Sequence, residues 1–495
     1  MNATDDWILS GGIETDKRYL IRGSVLNAMG LVLRNISPVL VFVLARIFPK
    51  DVFGVFVSVT LFTLTASHLL VMGFDKGLLW YIPRNQEQSR PLHTGLVAVT
   101  RTTHLVAFAA WALAALYLFS GGQEQIASLS PVSPWFVTVC LFSLVPYMAL
   151  HGLSAALEGR RLPQYKLLVN QFLSTTLGPI LAIGLHFAGW DEISLALGFT
   201  SANLLGAMVL VGVVNRRFAG IRWTDRERID RELWSYSWPL GLSQAVAGIL
   251  LRVDLWMILL LLGPEDAAVY AIMVTLSNGL KAVRQNFDPL IVPIVSSMKQ
   301  QRRSTDLKEV FTYAVNMVTG IQMLVAVTVL FFPVYILSIA GESYTVQPQA
   351  LSILMVGNLI NGLLALNGQV ILGLGKSRPI FLLNAATLVL NLSLNFLLIK
   401  RLGISGAATA TALAYLAQCS VLVAYQKRLS GHHLYKPHLG INALLVAAFA
   451  IATFGYQQAI IELSLLHKIA AYAACLLLLA LLFLLKRKTF SLGEA

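Results

Sequence analysis

Apolar runs of about 20 residues follow one another from Ile21 to Leu485, and only short polar connections separate them. A run of this length crosses the hydrocarbon core of a bilayer as a single helix, which satisfies its own backbone hydrogen bonds. Hydrophobic residues make up 57% of the chain and charged residues only 12%. The sequence therefore predicts an all-α polytopic membrane protein with about fourteen transmembrane helices.

Basic residues are concentrated in alternate connections, for example in residues 159–166, 216–231 and 299–308. The formal net charge of +13 could indicate a nucleic-acid partner. Short basic clusters separated by apolar runs instead encode membrane orientation, because Lys and Arg are retained on the cytoplasmic side. We therefore expect both termini in the cytoplasm, a multi-pass protein of the inner (cytoplasmic) membrane, and no nucleic-acid binding. The acidic start, residues 1–20, is predicted to be a cytoplasmic tail and not a cleavable signal.

An internal repeat with a period near 215 residues divides the chain. Gly159-Arg160-Arg161-Leu162-Pro163 matches Gly375-Lys376-Ser377-Arg378-Pro379 at a shift of 375 − 159 = 216. An even number of spans within the period would place both copies in the membrane in the same direction, as in parallel-repeat transporters. The predicted organisation is a six-helix bundle over 21–220, a cytoplasmic linker over 221–237, a second six-helix bundle over 238–430, and two additional helices over 440–486.

Four basic residues lie inside predicted spans, where an ionisable group costs roughly 2.5–3.5 kcal/mol on insertion scales. They are Arg34, Arg252, Lys281 and Arg284. Two acids, Asp254 and Asp288, accompany them, so the membrane would contain an excess of positive charge. The excess predicts an anionic ligand bound by the four bases, with the two acids as counter-charges or coupling groups. The alternative is structural: Arg284 could pair with Asp288 at i,i+4, and Asp254 with Arg34 or Arg252.

Asparagines are frequent in the later spans, and three of them share one helical face at i, i+7 and i+11: Asn384, Asn391 and Asn395. Their amide oxygens could hold a sodium ion, although hydrogen bonding between helices is the more common use of such residues. The three cysteines, Cys140, Cys419 and Cys475, lie in apolar segments without the spacing of a disulfide framework or a metal site. No cofactor and no metal are expected.

Several short motifs resemble one known family. They are Gly54-Val55-Phe56, Met72-Gly73-Phe74-Asp75-Lys76-Gly77-Leu78, Leu157-Glu158-Gly159-Arg160-Arg161, Leu374-Gly375-Lys376-Ser377 and Leu402-Gly403-Ile404-Ser405-Gly406-Ala407-Ala408-Thr409-Ala410-Thr411. Together they look like the polysaccharide transporter family of the multidrug/oligosaccharidyl-lipid/polysaccharide exporter superfamily. That superfamily includes O-unit flippases, the lipid II flippase and cation-coupled drug exporters. The resemblance covers essentially the whole chain and implies two bundles that form a V-shaped central cavity.

The resemblance also implies a function. A flippase of this family would carry a polyprenyl-pyrophosphate-linked oligosaccharide from the cytoplasmic to the outer leaflet by alternating access, for surface polysaccharide biosynthesis. Arginine matches phosphate oxygens well, so the intramembrane bases suit the pyrophosphate. The expected partners are this lipid-linked substrate, membrane lipids, Na⁺ or H⁺ for coupling, and polysaccharide assembly proteins. A cation-coupled drug exporter and a membrane-embedded polymerase or glycosyltransferase are the alternatives; a flippase would not be an enzyme.

Overall fold

The computed structural model describes residues 39–84, 89–120, 132–160, 176–218, 221–224, 229–285, 304–374, 376–430 and 440–491, with a few positions between 162 and 173. Every regular element in these ranges is helical. The described residues form two compact units. The first extends to Arg252 and includes Gly263–Glu265, and the second consists of Val253–Leu262 and the described residues from Asp266 onward.

The first unit contains eight main helices in its described part, following a helical segment at residues 39–47. They are α1 (Lys50–Leu70), α2 (Phe74–Arg84), α3 (Ser89–Ser120), α4 (Pro134–Phe142), α5 (Leu144–Gly159), α6 (Gly178–Leu185), α7 (Ile193–Arg217) and α8 (Arg231–Leu250). Helix α4 begins after Ser133, whose side chain accepts a hydrogen bond from the Phe136 N–H, and Pro134 occupies the first turn. The two helices α4 and α5 together form one apolar span.

The short helix α2 organises the core of the first unit. Phe74, Leu78 and Ile82 recur every four residues and are at most 1% exposed, so they form one apolar stripe. This stripe belongs to a buried cluster with Leu153 of α5 and Leu233 of α8. Helices α5 and α8 both pack on α2. A helix of only 11 residues therefore links α5 and α8, which are far apart in the sequence.

A hydrogen bond also joins α2 to the start of α8. The Tyr81 hydroxyl of α2 donates a hydrogen bond to Asp230 Oδ2 at 3.0 Å. Asp230 also caps α8, since its Oδ1 accepts from the Glu232 N–H at 3.0 Å. Burial and this bond to a carboxylate raise the pKa of Tyr81 to about 12, so the phenol stays protonated at neutral pH.

The backbone of α8 packs closely against the turn between α1 and α2. A Cβ on Gly241 would lie against the Met72 carbonyl carbon and 2.6 Å from the Gly73 nitrogen, closer than real Cβ atoms come. Gly73 itself has φ +74°. Because backbone cannot yield as a side chain can, Gly241→Ala should destabilise the protein by about 1–3 kcal/mol, measured as a lower melting temperature in detergent.

The matched control for this prediction is Gly248, about two turns further along α8. A Cβ on Gly248 would meet only Thr65 Cγ2, at 3.9 Å, which is ordinary contact. Gly248→Ala is therefore expected to leave the melting temperature unchanged or to raise it slightly, because alanine is the better helix former. Equal melting temperatures for the two variants would contradict the close packing at Gly241.

The second unit contains the remaining described helices. They are α9 (Val253–Leu261), α10 (Pro264–Gln285), α11 (Ser304–Phe331), α12 (Pro333–Ser338), α13 (Gln349–Leu364), α14 (Leu366–Gly373), α15 (Ser377–Leu402), α16 (Ile404–Ser430), α17 (Gly440–Ile451), α18 (Gln457–Glu462) and α19 (Leu465–Ser491). Helix α13 is its centre: it is buried along most of its length and packs on α11 and α16. The two additional C-terminal helices are part of this unit, since α17 and α19 pack on α11.

Buried amides fix the C-terminal helices in place. Asn442 Nδ2 of α17 donates to Asn316 Oδ1 of α11 at 2.7 Å. Gln457 Nε2 of α18 donates to Ser352 Oγ of α13 at 2.6 Å. Hydrogen bonds of this kind stabilise helix packing where lipid gives no hydrophobic driving force.

Most of the predicted spans agree with the structure. The exceptions are 167–188, 238–262 and 267–297, since α10, the described part of 267–297, is not among the helices apolar enough to cross a membrane. Of the predicted span 21–47, only residues 39–47 are described. Among the described residues, ten helices are long and apolar enough to cross a membrane, or eleven if a bent pair is one span. The bent pair is α8 and α9, which the sequence predicts as one span over 238–262; the two helices meet at 47° around Leu251–Arg252. The predicted span 167–188 is described as a short apolar helix, Gly178–Trp190. The count of fourteen stays a prediction.

Candidate functional site

The predicted site residues lie in different surroundings. Arg34 and Asp288 fall outside the described residues. Arg252 belongs to the first compact unit, whereas Asp254, Lys281 and Arg284 belong to the second. The three asparagines also lie in the second unit, on α15.

Arg252 is a half-buried guanidinium held by a hydroxyl. It follows the end of α8, in the two-residue break before α9. Its Nη1 donates to Thr65 Oγ1 of α1 at 2.8 Å, and the Thr65 hydroxyl in turn donates to the Leu61 carbonyl at 2.8 Å. Thr65 therefore presents a lone pair to the guanidinium. Within the described residues no carboxylate pairs with Arg252, and a guanidinium has five N–H donors, so several remain for an anion.

Asp254 is a carboxylate surrounded by hydrogen-bond donors. It is 7% exposed, in the first turn of α9. Its Oδ2 accepts from the Tyr270 hydroxyl of α10 at 2.5 Å and from the Thr411 hydroxyl of α16 at 3.3 Å, and its Oδ1 from the Leu255 N–H at 2.9 Å. In the part of the chain that the structure describes, no basic side chain forms an ion pair with it. Neutral donors stabilise this carboxylate without cancelling its charge.

Lys281 and Arg284 lie within one turn of each other on α10 but differ in burial. The Lys281 Nζ donates to the Tyr415 hydroxyl of α16 at 2.9 Å and lies 5.3 Å from the centre of that ring. Asn278, Lys281 and Gln285 recur at three- and four-residue spacing on α10, and these three side chains are half-buried or exposed. Arg284 is instead 8% exposed. It therefore lies on the buried side of α10, next to this row of polar side chains.

Two buried amides hold the turn of α10 that carries these cations. Gln322 Nε2 of α11 donates to the Leu280 carbonyl at 2.9 Å, and Asn358 Nδ2 of α13 donates to the Ser277 carbonyl at 3.2 Å. Gln322 is fully buried, and a Cβ on Gly362 would come within 2.7 Å of its Cδ atom. The cationic turn is therefore positioned by side chains of two other helices.

The three asparagines take part in two separate hydrogen bonds. Asn384 Oδ1 accepts from Gln418 Nε2 of α16 at 2.8 Å. Asn395 Nδ2 donates to Asn391 Oδ1 at 2.9 Å, one turn away on the same helix. The first contact is a hydrogen bond between helices, as in the alternative interpretation, whereas the second lies within α15. A sodium site formed by all three stays a prediction.

Sequence reasoning did not identify the neutral partners of these charges. Thr65, Tyr270 and Tyr415 were not singled out, because a hydroxyl inside an apolar run has no distinctive pattern. Thr411 is the last residue of the family motif that begins at Leu402, and Tyr415 follows it one helical turn later, on the same face of α16. That spacing was the available signal for the polar face toward Asp254 and Lys281.

Solved structures share the fold described here. The lipid II flippase MurJ, in an inward closed conformation, has a TM-score of 0.69 at 13% identity, covering 94% of this chain and 99% of that chain. An inward-facing multidrug resistance MATE family transporter of the MOP superfamily has a TM-score of 0.64 at 14% identity, covering 81% and 94%. The chain is thus a multi-pass membrane protein with the fold of these exporters. The predicted all-α polytopic fold class is confirmed.

Sequence comparison shows the family. A family model described as "Polysaccharide biosynthesis protein" matches residues 43–347. A protein of Shigella flexneri with the name "Putative O-antigen transporter" is 24% identical over 406 residues, which are 79% of this chain and 93% of that protein. The chain belongs to the polysaccharide biosynthesis protein family, and the predicted membership of the exporter superfamily is confirmed.

The same findings decide between a transporter and an enzyme. The relatives and structural neighbours are named as transporters and as a flippase. The prediction that this chain is a transport protein of polysaccharide biosynthesis and not an enzyme is confirmed. We therefore do not retain the membrane-embedded polymerase or glycosyltransferase as an alternative.

Proposed function

We propose that this protein is a flippase that moves a polyprenyl-pyrophosphate-linked oligosaccharide from the cytoplasmic to the outer leaflet of the bacterial inner membrane by alternating access. Arg34, Arg252, Lys281 and Arg284 bind the pyrophosphate. Asp254 and Asp288 couple transport to Na⁺ or H⁺. Both termini lie in the cytoplasm, and the product is passed to polysaccharide assembly proteins.

The state of Arg252 carries this proposal. A half-buried guanidinium in a membrane protein is costly unless it has a partner. Among the described residues, Arg252 donates a hydrogen bond to one neutral hydroxyl, that of Thr65. Pyrophosphate would supply the missing charge and accept the unused N–H donors in the bidentate geometry that arginine favours. The ligand that best fits this residue is therefore an anion with several oxygens.

Lys281 supports the same ligand class. Its ammonium interacts with the Tyr415 hydroxyl and ring, both neutral groups. An organic cation would be repelled by Lys281 and by Arg252. The outward movement of negative charge from a cell that is negative inside also releases roughly 2.3 kcal/mol per charge per 100 mV, so the membrane potential would assist the proposed direction.

Mass spectrometry of lipids that co-purify with the protein tests this function. We expect the wild type to retain a polyprenyl-pyrophosphate oligosaccharide. Lys281→Gln should retain several-fold less, because it removes a charge-assisted hydrogen bond worth about 1.5–3 kcal/mol, of which the neutral amide recovers a part.

Lys468→Gln is the matched control for Lys281→Gln. Lys468 is a lysine of the same unit that is 8% exposed, and its Nζ donates to the Ile461 carbonyl at 2.6 Å, among the C-terminal helices. Its substitution should leave the amount of retained lipid unchanged. Absence of any pyrophosphate lipid from the wild type, together with binding of organic cations, would overturn the proposal in favour of a drug exporter.

A further inference from the structure

A cleft of about 690 Å³ opens at one end of the first unit. Its walls come from three parts of the chain: Phe48 and Pro49 before α1, Ser133 and Phe136 at the start of α4, and the segment from His186 to Ile193 before α7. The volume falls in the range of roughly 300–1,000 Å³ that is usual for small-molecule sites. None of the ionisable residues assigned to the proposed pyrophosphate site contributes to these walls.

The cleft lies at the end of the unit that is opposite the basic connections. Helices α1, α4 and α7 all begin beside it. The spans that start there end near Lys76, Arg160 and Arg217. Since Lys and Arg connections stay in the cytoplasm, the cleft opens toward the outer side of the membrane.

Aromatic rings form part of the cleft wall. Phe136 is 1% exposed and closes the inner side of the cleft wall. Trp190 is 53% exposed and can contact a ligand. The His186 ring packs on Phe48 with ring centres 4.8 Å apart. Its Nδ1 is buried and has no hydrogen-bond partner among the described residues.

Carboxylates complete the wall. Asp191 and Glu192 follow Trp190 directly and both line the cleft. Two adjacent carboxylates, with no lysine or arginine among the described residues that line the cleft, give it a negative potential. Burial, with the negative charges of Asp51 and Asp191, raises the pKa of Glu192. Aromatic anchoring at the membrane surface would account for Trp190 alone; it requires neither the adjacent acids nor the buried Phe136.

An unusual backbone turn sets these side chains side by side. Gly189 has φ +87° and Asp191 has φ +37°, a region that residues other than glycine seldom adopt. The Ser194 hydroxyl donates to the Asp191 carbonyl at 2.5 Å and holds the turn. The two residues with positive φ place Trp190, Asp191 and Glu192 at one edge of the cleft.

We infer that this cleft is a saccharide-binding site on the outer face of the first unit. Carboxylates accept hydrogen bonds from sugar hydroxyls, and the apolar face of a sugar ring packs on an aromatic ring as other apolar groups do. The negative potential repels phosphate, so the cleft holds the sugar part of the transported molecule and not its pyrophosphate. This inference rests on the proposed function, which supplies an oligosaccharide as substrate.

Saturation-transfer NMR on the full-length protein in lipid nanodiscs tests the inference. The probes are galactose, rhamnose, N-acetylglucosamine and their disaccharides, none of which carries lipid or phosphate. We expect at least one of them to receive saturation from the wild type. Trp190→Ala and the double variant Asp191→Asn with Glu192→Gln should each reduce that signal at least about fivefold, since each removes one of the two main contacts of the sugar.

Trp135→Ala is the matched control, because Trp135 is 62% exposed at the same end of the unit but does not line the cleft. It should bind sugar as the wild type does; an equal loss in this variant would overturn the inference. Absence of sugar binding by the wild type would overturn it too, while retention of pyrophosphate lipid in the separate experiment would leave the proposed function standing. Binding of tetraphenylphosphonium in the cleft, lost in Glu192→Gln, would overturn the sugar assignment in favour of an organic cation.

Discussion

Replacing Arg252 by alanine is expected to weaken binding of a polyprenyl-pyrophosphate sugar about 10- to 100-fold, the largest effect that we expect of any single substitution on binding. A hydrogen bond to a charged group contributes about 1.5–3 kcal/mol, and 1.4 kcal/mol corresponds to a factor of ten. Arg252→Lys keeps the charge but not the planar fork, so its affinity should fall between those of the wild type and the alanine variant. Native mass spectrometry with a short-chain polyprenyl-pyrophosphate disaccharide measures all three.

Thr65→Val separates the charge of Arg252 from its orientation. Valine has the shape of threonine but cannot accept the hydrogen bond that Arg252 Nη1 donates at 2.8 Å. If the hydroxyl only positions the guanidinium, this variant should lose a few-fold in affinity, which is less than Arg252→Ala loses. Wild-type affinity in Arg252→Ala would contradict the assignment of this residue to the pyrophosphate. Melting temperatures of the purified variants distinguish loss of binding from loss of folding.

Asp254→Asn is expected to abolish the dependence of transport on an imposed ion gradient and to lower the transport rate about tenfold or more. A carboxylate inside a membrane protein costs roughly 2.5–3.5 kcal/mol on insertion scales unless a cation or a proton compensates its charge. The donors around Asp254 are neutral, namely Tyr270, Thr411 and a backbone N–H. Asparagine keeps the shape and an acceptor oxygen but has no negative charge, so it takes up no proton and binds a cation more weakly than a carboxylate does.

Transport of the lipid-linked sugar into proteoliposomes measures this effect. Gradients of Na⁺ at constant pH and of pH without Na⁺ identify the coupling ion. Tyr270→Phe serves as the control, because it removes one donor at 2.5 Å but keeps the carboxylate; it should lower the rate and preserve the gradient dependence. Gradient-dependent transport by Asp254→Asn would exclude Asp254 as the coupling group and leave Asp288 as the remaining candidate.

Much of the fold follows from the sequence alone. The spans are predictable because lipid cannot satisfy backbone groups, so about 20 apolar residues must form a helix. The break at Leu251–Arg252 is not predictable in this way. The apolar window over 238–262 continues through it, and no proline or glycine stands at the break. Packing decides it, since α8 packs on α1 and α2, whereas α9 packs on α15 and α16.

The site shows the same division between local pattern and tertiary contact. Arg252, Asp254 and Lys281 are recognisable from sequence, because a charge within an apolar window is costly wherever it lies. Their partners are distant in the chain: Thr65 is 187 residues from Arg252, and Thr411 is 157 residues from Asp254. Helical spacing predicts which residues share a face, but not which neighbour meets that face. Asn384 accordingly bonds to Gln418 and not to Asn391.

The sequence by itself determined that this protein spans a membrane, that it is helical throughout its spans, and that it contains isolated charges in those spans, because these properties depend only on composition and local periodicity. Only the tertiary structure decided that Arg252 and Asp254, two positions apart, belong to different compact units. The helix breaks at Leu251–Arg252, and each side of the break then forms its hydrogen bonds with the helices on which it packs. Partners that lie more than a hundred residues away in the chain are set by this packing, which no local pattern records.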